Sequence, residues 1–176
     1  MNNGSVLIPI VIVLALGLFS GWRSDTVRYF MHAIYPPKDL YDFLINESLD
    51  ISEKGLTKRF EFQHKYPGRH NIGILLANFS DDLYFKPLPQ RYILKLKMEV
   101  SFYSQGTLIM SRMVENQYDP FLGRRGNGLS FITYKAPQDL PMDKLIVCEV
   151  KILEPDGQLY TTYGPTRFYI SKMSDK

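Results

Sequence analysis

The sequence predicts an all-β protein, an antiparallel β-sandwich of seven to eight strands that follows a hydrophobic leading segment. Three observations carry this reading. Apolar residues recur with period 2 through most of the chain after residue 48, turn signals separate those runs, and no charged residue occurs from Met1 to Trp22. A length of 176 residues fits roughly one domain of about 100 to 200 residues. With 45% hydrophobic and 22% charged residues, the chain is neither disordered nor fibrous. A net charge of +3 and a pI of about 8.9 argue against a dedicated nucleic-acid binder, which concentrates basic residues on one face.

The leading segment is Val6 to Phe19 (VLIPIVIVLALGLF), apolar throughout. Extended to Trp22, a helix over residues 6–22 would be roughly 25 Å long at about 1.5 Å per residue. That is close to the lower limit for crossing a bilayer, about 17 residues. Trp22 and Arg23 have the chemistry of an interfacial anchor. The expectation is an uncleaved single-pass membrane anchor over residues 1–22. A cleaved secretory signal is the alternative, although the MNNGS start lacks basic side chains. Arg23 and Arg28 favour a cytoplasmic body by the positive-inside rule, whereas a sandwich suits an extracytoplasmic one. The extracytoplasmic side is the expectation.

Residues 23–48 are expected to form a juxtamembrane helical stalk. Ser24-Asp25-Thr26 offers N-cap oxygens, and Val27, Phe30, Met31 and Ile34 recur at helical spacing. Pro36-Pro37 ends that helix, and Leu40, Phe43 and Leu44 suggest one further helical turn.

From residue 49 to 176 the strand signals follow in order. Phe60 and Phe62 alternate with charged neighbours, and Asn71 to Ala77 (NIGILLA) is a buried-type strand in which Gly73 marks a bulge or close approach. From Arg91 to Tyr103, Tyr92, Leu94, Leu96, Met98, Val100 and Phe102 fall on one face, opposite a mostly polar set. Gly106–Glu115, Leu129–Tyr134, Lys144–Leu153 and Thr166–Ser171 continue the pattern, with Leu159–Tyr163 a possible further strand. Tyr66-Pro67-Gly68-Arg69 fits a type II turn, and Glu154-Pro155-Asp156-Gly157 is a second turn between strand-like runs.

The runs FEFQHKYPGRHNIGI (Phe60–Ile74), the strand from Arg91, and MDKLIVCEVKI (Met142–Ile152) together resemble a membrane-anchored bacterial immunoglobulin-like sandwich. The last resembles the penultimate immunoglobulin strand, with Cys148 at the inward cysteine position. The sequence departs from the antibody pattern elsewhere: Ile146 stands where a corner tyrosine would be, no second cysteine exists, and the only tryptophan is Trp22. The resemblance implies an architecture over residues 49–176 and no activity.

The residues with chemistry are few. Cys148, flanked by Ile146, Val150 and Ile152, is expected to be a core thiol. His64 and His70 flank the Pro67-Gly68 turn and are expected at an exposed turn, able to face each other across a hairpin. Two imidazoles make half a zinc site, so no metal is expected. Arg124 and Arg125, within Gly123–Gly128, can contact an anion or a partner. Tyr160, Tyr163 and Tyr169 are strand aromatics or a recognition face. H-E-x-x-H, G-x-S-x-G, C-x-x-C and dinucleotide-binding glycine motifs are absent, so neither catalytic residues nor cofactors are expected. The expected function is a membrane-tethered binding module of the cell envelope with a protein partner. The alternative is carbohydrate or acidic-lipid binding through the Arg124-Arg125 loop.

Overall fold

The computed structural model describes residues 35–78, 94–123 and 126–173, and the side chains of 121–123 are outside that description. The chain divides into two units, Met1–Leu40 and Tyr41–Lys176. In the first, the described residues form a turn after Pro36-Pro37, closed by the Leu40 N–H donating to the Pro37 carbonyl at 3.0 Å.

The described residues of the second unit form nine strands, β1 (Phe43–Ser48), β2 (Thr57–Phe62), β3 (Gly68–Leu76), β4 (Lys97–Ser104), β5 (Thr107–Glu115), β6 (Asp119–Gly123), β7 (Gly126–Ala136), β8 (Ile146–Glu154) and β9 (Thr166–Lys172), with one helix, α1 (Gly157–Tyr163), between β8 and β9. Five strands form one sheet in the order β1-β9-β3-β7-β6, and four form the other in the order β2-β8-β4-β5. Every pairing is antiparallel. The core lies between the sheets: Ile72, Ile74, Phe168 and Ile170 from the first meet Met98, Val100, Phe102, Cys148 and Val150 from the second. Phe60 of β2 stacks on Phe168 of β9 across that layer, with ring centroids 5.3 Å apart.

Strand β3 is the centre of the five-stranded sheet and is buried on both faces. Ile72, Ile74 and Leu76 belong to the core, while Leu75 and the neighbouring Tyr169 are buried on the opposite face. The register of β3 against β7 shifts between Ile72 and Gly73, so the anticipated bulge is present. The close approach is present too. A Cβ at Gly73 would lie 1.9 Å from the Leu129 carbonyl oxygen and 2.8 Å from the Tyr169 ring. Two positive-φ residues, Gln105 (51°) and Gly106 (78°), close the tight β4–β5 hairpin as a type I′ turn requires.

Several expectations are corrected. No helix among the described residues is long and apolar enough to cross a membrane, which overturns the expectation of a single-pass membrane protein. The anchor expected over residues 6–22, and the first helix of the stalk, lie outside the described residues. Where one further helical turn is expected over Leu40, Phe43 and Leu44, Leu40 closes the turn after Pro36-Pro37 and Phe43 and Leu44 open strand β1. A bulge between Phe43 and Ile45 sends Phe43 toward Tyr169 (centroids 5.6 Å apart) and Ile45 into the core, which erases the period-2 signature. Strand β6 was also unforeseen, being five residues long with Pro120 inside, a composition suited to a sheet edge.

Leu159–Tyr163 is helix rather than strand. Asp156 caps it by accepting from the Leu159 N–H at 2.9 Å, and Leu159 and Tyr163, four apart, are buried together on one side. Gly164, at φ 78°, ends it with its N–H on the Tyr160 carbonyl. Tyrosine and threonine favour strands, but cap and spacing override that preference.

The immunoglobulin-like order is also corrected. In an immunoglobulin domain the last two strands are neighbours in one sheet. Here β8 and β9 belong to different sheets, and β2 occupies the edge beside β8.

The glycine contact yields a test. Gly73→Ala should lower stability to urea by about 2–3 kcal/mol, because the added methyl meets backbone and a buried ring. Gly157→Ala, where a Cβ meets nothing within 4 Å, should stay within about 0.5 kcal/mol of the parent. Equal losses would show that the β3–β7 contact is not the constraint described.

Candidate binding surface and the buried histidine pair

The outward face of the four-stranded sheet has two kinds of cross-strand row. One is polar: Arg59, Glu149, Ser101 and Ser111 stand side by side across β2, β8, β4 and β5. The Arg59 guanidinium meets the Glu149 carboxylate at 2.6 Å, Ser101 donates to Ser111 at 2.9 Å, and Ser111 donates to Glu99 at 3.0 Å. The pair is solvent-facing on the Arg59 side, so it sets alignment more than stability.

The next row toward one end of the sheet is Glu61, Val147, Tyr103 and Leu108. Leu145 immediately precedes β8, two residues from Val147. Leu108 is 53% and Leu145 56% exposed, and Ile109, at the β4–β5 bulge, is exposed beside them. Met113 is exposed further along the same face of β5. Of the six large hydrophobic side chains most exposed among the described residues, four belong to this region. Concentrated apolar exposure marks contact surfaces, whereas scattered residues do not.

The β5 edge itself is protected from open-ended pairing. Arg112 faces Val100 in register and so stands on the core-facing side of an edge strand, and the bulge at Ile109 interrupts its ladder. Inward charges and bulges of this kind oppose strand addition. On the other side of the sandwich, the edges β1 and β2 flank an open cleft of about 590 Å³. Lys58 crosses between them, its Nζ donating to the Ser48 carbonyl at 2.7 Å.

The histidines are not at an exposed turn. His64 and His70 are 3% and 1% exposed, with their rings edge to face at 4.8 Å. The two rings face each other, but not across a hairpin, because β2 and β3 lie in different sheets. The His64 Nδ1 is 3.0 Å from the Pro141 carbonyl oxygen and its Nε2 is 2.8 Å from the Tyr134 hydroxyl. A carbonyl only accepts, so Nδ1 carries the hydrogen in the neutral ring and Tyr134 donates to Nε2. His70 uses its Nδ1 in the same way, donating to the Gly68 carbonyl at 3.0 Å, and its ring stacks on Tyr134 with centroids 5.3 Å apart. Burial lowers the His64 pKa below its ordinary value, the Pro141 hydrogen bond opposing this in part. Burial raises the Tyr134 phenol well above the usual range, with Cys148 adding to it. Among the described residues no group of three or more His, Cys, Asp or Glu side chains could hold a metal.

The remaining candidates are quickly placed. Arg124 and Arg125 lie outside the described residues, between β6 and β7. Tyr163 and Tyr169 are buried, which removes them from any recognition face. Cys148 is a core thiol as expected, with its pKa pushed up chiefly by burial and then by Glu149. The apolar row is not among the expected sites. Its signal was Leu108-Ile109-Met110, three apolar residues in succession where an alternating strand places two at most.

Known protein families and curated proteins give no match to this chain. Among solved structures, it is similar to a protein from Sulfurospirillum deleyianum (9% identity, 75% of this chain and 98% of that one, TM-score 0.48). A second similarity is to a family GH115 4-O-methyl-alpha-glucuronidase with specificity for decorated arabinogalactans (14% identity, 76% of this chain and 16% of that one, TM-score 0.34).

Because Cys148 is fully buried, a thiol reagent should modify it only as fast as the native chain opens, and at once in denaturant. Rapid modification of the folded protein would place the thiol elsewhere than in the core.

Proposed function

We propose that the sandwich is a binding module that engages a protein partner through the apolar row of its four-stranded sheet, without chemistry of its own. The observation that supports this is the exposure of Leu108, in register with Tyr103 and Val147, and of Leu145, which immediately precedes β8. Interface cores are depleted in charge and enriched in tyrosine, methionine and other apolar side chains, and this end of the sheet has that composition. The polar row through Arg59 and Ser111 lies alongside as a rim. An inward Arg112 favours face-to-face contact over strand addition.

A photo-crosslinking residue at Leu108 should capture a partner in cell extract, and one at the exposed Thr161 of α1 should not. The Leu108→Glu, Leu145→Glu double variant should keep its stability within about 1 kcal/mol, since both side chains are exposed. It should weaken capture about tenfold or more, the loss expected when an apolar anchor becomes a charge. Equal adducts from both crosslinker positions, or undiminished capture by the double variant, would remove this surface from consideration.

A further inference from the structure

The two places where the chain passes between sheets at one end of the sandwich meet on a single side chain. His64 lies in the β2–β3 passage, two residues past Phe62, and Pro141 lies in the β7–β8 passage. The imidazole joins them, with Nδ1 on the Pro141 carbonyl and Nε2 on Tyr134 of β7. We propose that His64 is an acid-released latch: the ring takes up a proton at Nε2 on leaving its buried site for water, and that departure frees the 137–145 segment from the β2–β3 passage and loosens the flank of the apolar row.

Each contact of the neutral ring is used, and one of them depends on a lone pair. A proton added at Nε2 turns that nitrogen into a donor facing a hydroxyl that already donates to it. The Tyr134 O–H must then rotate away from its acceptor, and a charge appears in a buried site. The groups that would receive that charge are few. Phe62 lies edge-on at 5.1 Å from the strand preceding it, and β3 supplies His70 at 4.8 Å. From β7 comes Tyr134, with Cys148 of β8 near its phenol, and from the 137–145 segment only the Pro141 carbonyl. Among the described residues no carboxylate forms an ion pair with His64, so only the Pro141 carbonyl, which keeps its hydrogen bond from Nδ1, offsets part of the cost of the cation.

Direction follows from linkage. Burial lowers the folded His64 pKa, so below the ordinary histidine value of about 6.5 the open or unfolded chain binds the proton and the closed chain does not. Stability from this group is therefore complete above that value and is lost as pH falls toward the folded pKa. Leu145 stands four residues beyond Pro141, and its carbonyl accepts from Ser104 at 3.4 Å. Release of the segment thus reaches the apolar row directly. That consequence rests on the proposed binding surface, whereas the latch does not.

Amide hydrogen exchange on the full chain, with no partner present, tests the latch. Between about pH 7.5 and about pH 5.5, and after correction for intrinsic exchange rates, the opening constant of residues 137–145 should rise by up to about tenfold per pH unit below about 6.5. The helix 157–163 should change much less. In His64→Gln, which keeps hydrogen-bonding capacity but does not titrate, the pH dependence of 137–145 should disappear. Should that variant fail to fold, the His Cε1 proton titration of the unaltered chain replaces it. One histidine must then titrate below about 6.5 in step with the exchange. Exchange of 137–145 that is equal at both pH values, or that rises equally in His64→Gln, would overturn the proposal. If the latch holds and partner capture shows no pH dependence, the binding surface and not the latch is misassigned.

Discussion

A single neutral imidazole fixes the end of this sandwich at which the chain changes sheets twice. A two-sheet protein must pass its backbone between layers, and each passage exposes peptide groups that no ladder pairs. His64 satisfies the Pro141 carbonyl in one passage from within the other and anchors both to β7 through Tyr134. Edge-to-face contacts with Phe62 and His70, and the stack of His70 on Tyr134, then fill the volume around it. Polar groups in such a place are worth keeping only when fully paired, because an unpaired one costs about 1–3 kcal/mol.

From that anchored end the rest of the architecture follows. Strand β3 leaves the passage at Gly68 and becomes the central strand of the five-stranded sheet, held against β7 so closely that Gly73 has no room for a Cβ. Strand β8 enters the other sheet between β2 and β4 and delivers Val147 to the outward face and Cys148 to the core. The far end is closed by different means. Asp156, buried, accepts from the Leu159 and Lys95 N–H groups, while its own N–H donates to the Ile51 carbonyl. Through its carboxylate and its backbone N–H together, Asp156 thus joins three chain segments at one end, as His64 joins two passages at the other. The exposed apolar side chains of β5 lie outside both joints, on the outward face of the four-stranded sheet.

Much of the fold is legible in the sequence, and what is not has identifiable causes. Long alternating strands such as β4 and β8 declare themselves because one face is core and the other is water. Strand β1 does not, since a bulge breaks its alternation, and β6 does not, since it is short and holds a proline. The segment 157–163 reads as strand from its tyrosines and threonines, although Asp156 and the Leu159–Tyr163 spacing were visible as a cap and a helical stripe. Sheet membership is harder still. The Pro67-Gly68 turn signals a reversal, but a reversal within a hairpin and a passage between sheets have the same local chemistry. That ambiguity is why His64 and His70 read as exposed turn residues and prove to be buried. The apolar row draws on three strands, and only its β5 part has a local signal, the Leu108-Ile109-Met110 run; the register that sets Tyr103 and Val147 beside it has none.

The imidazole tautomer is the most direct test of this account. Long-range proton–nitrogen correlation spectra of the folded chain near neutral pH distinguish a protonated ring nitrogen from a bare one. The structure requires His64 to carry its hydrogen on Nδ1, toward Pro141, and to leave Nε2 as the acceptor of the Tyr134 hydroxyl. A spectrum with Nδ1 protonated and Nε2 bare is the predicted result. A hydrogen on Nε2, or two nitrogens averaged by exchange with solvent, would mean that His64 does not join the two passages.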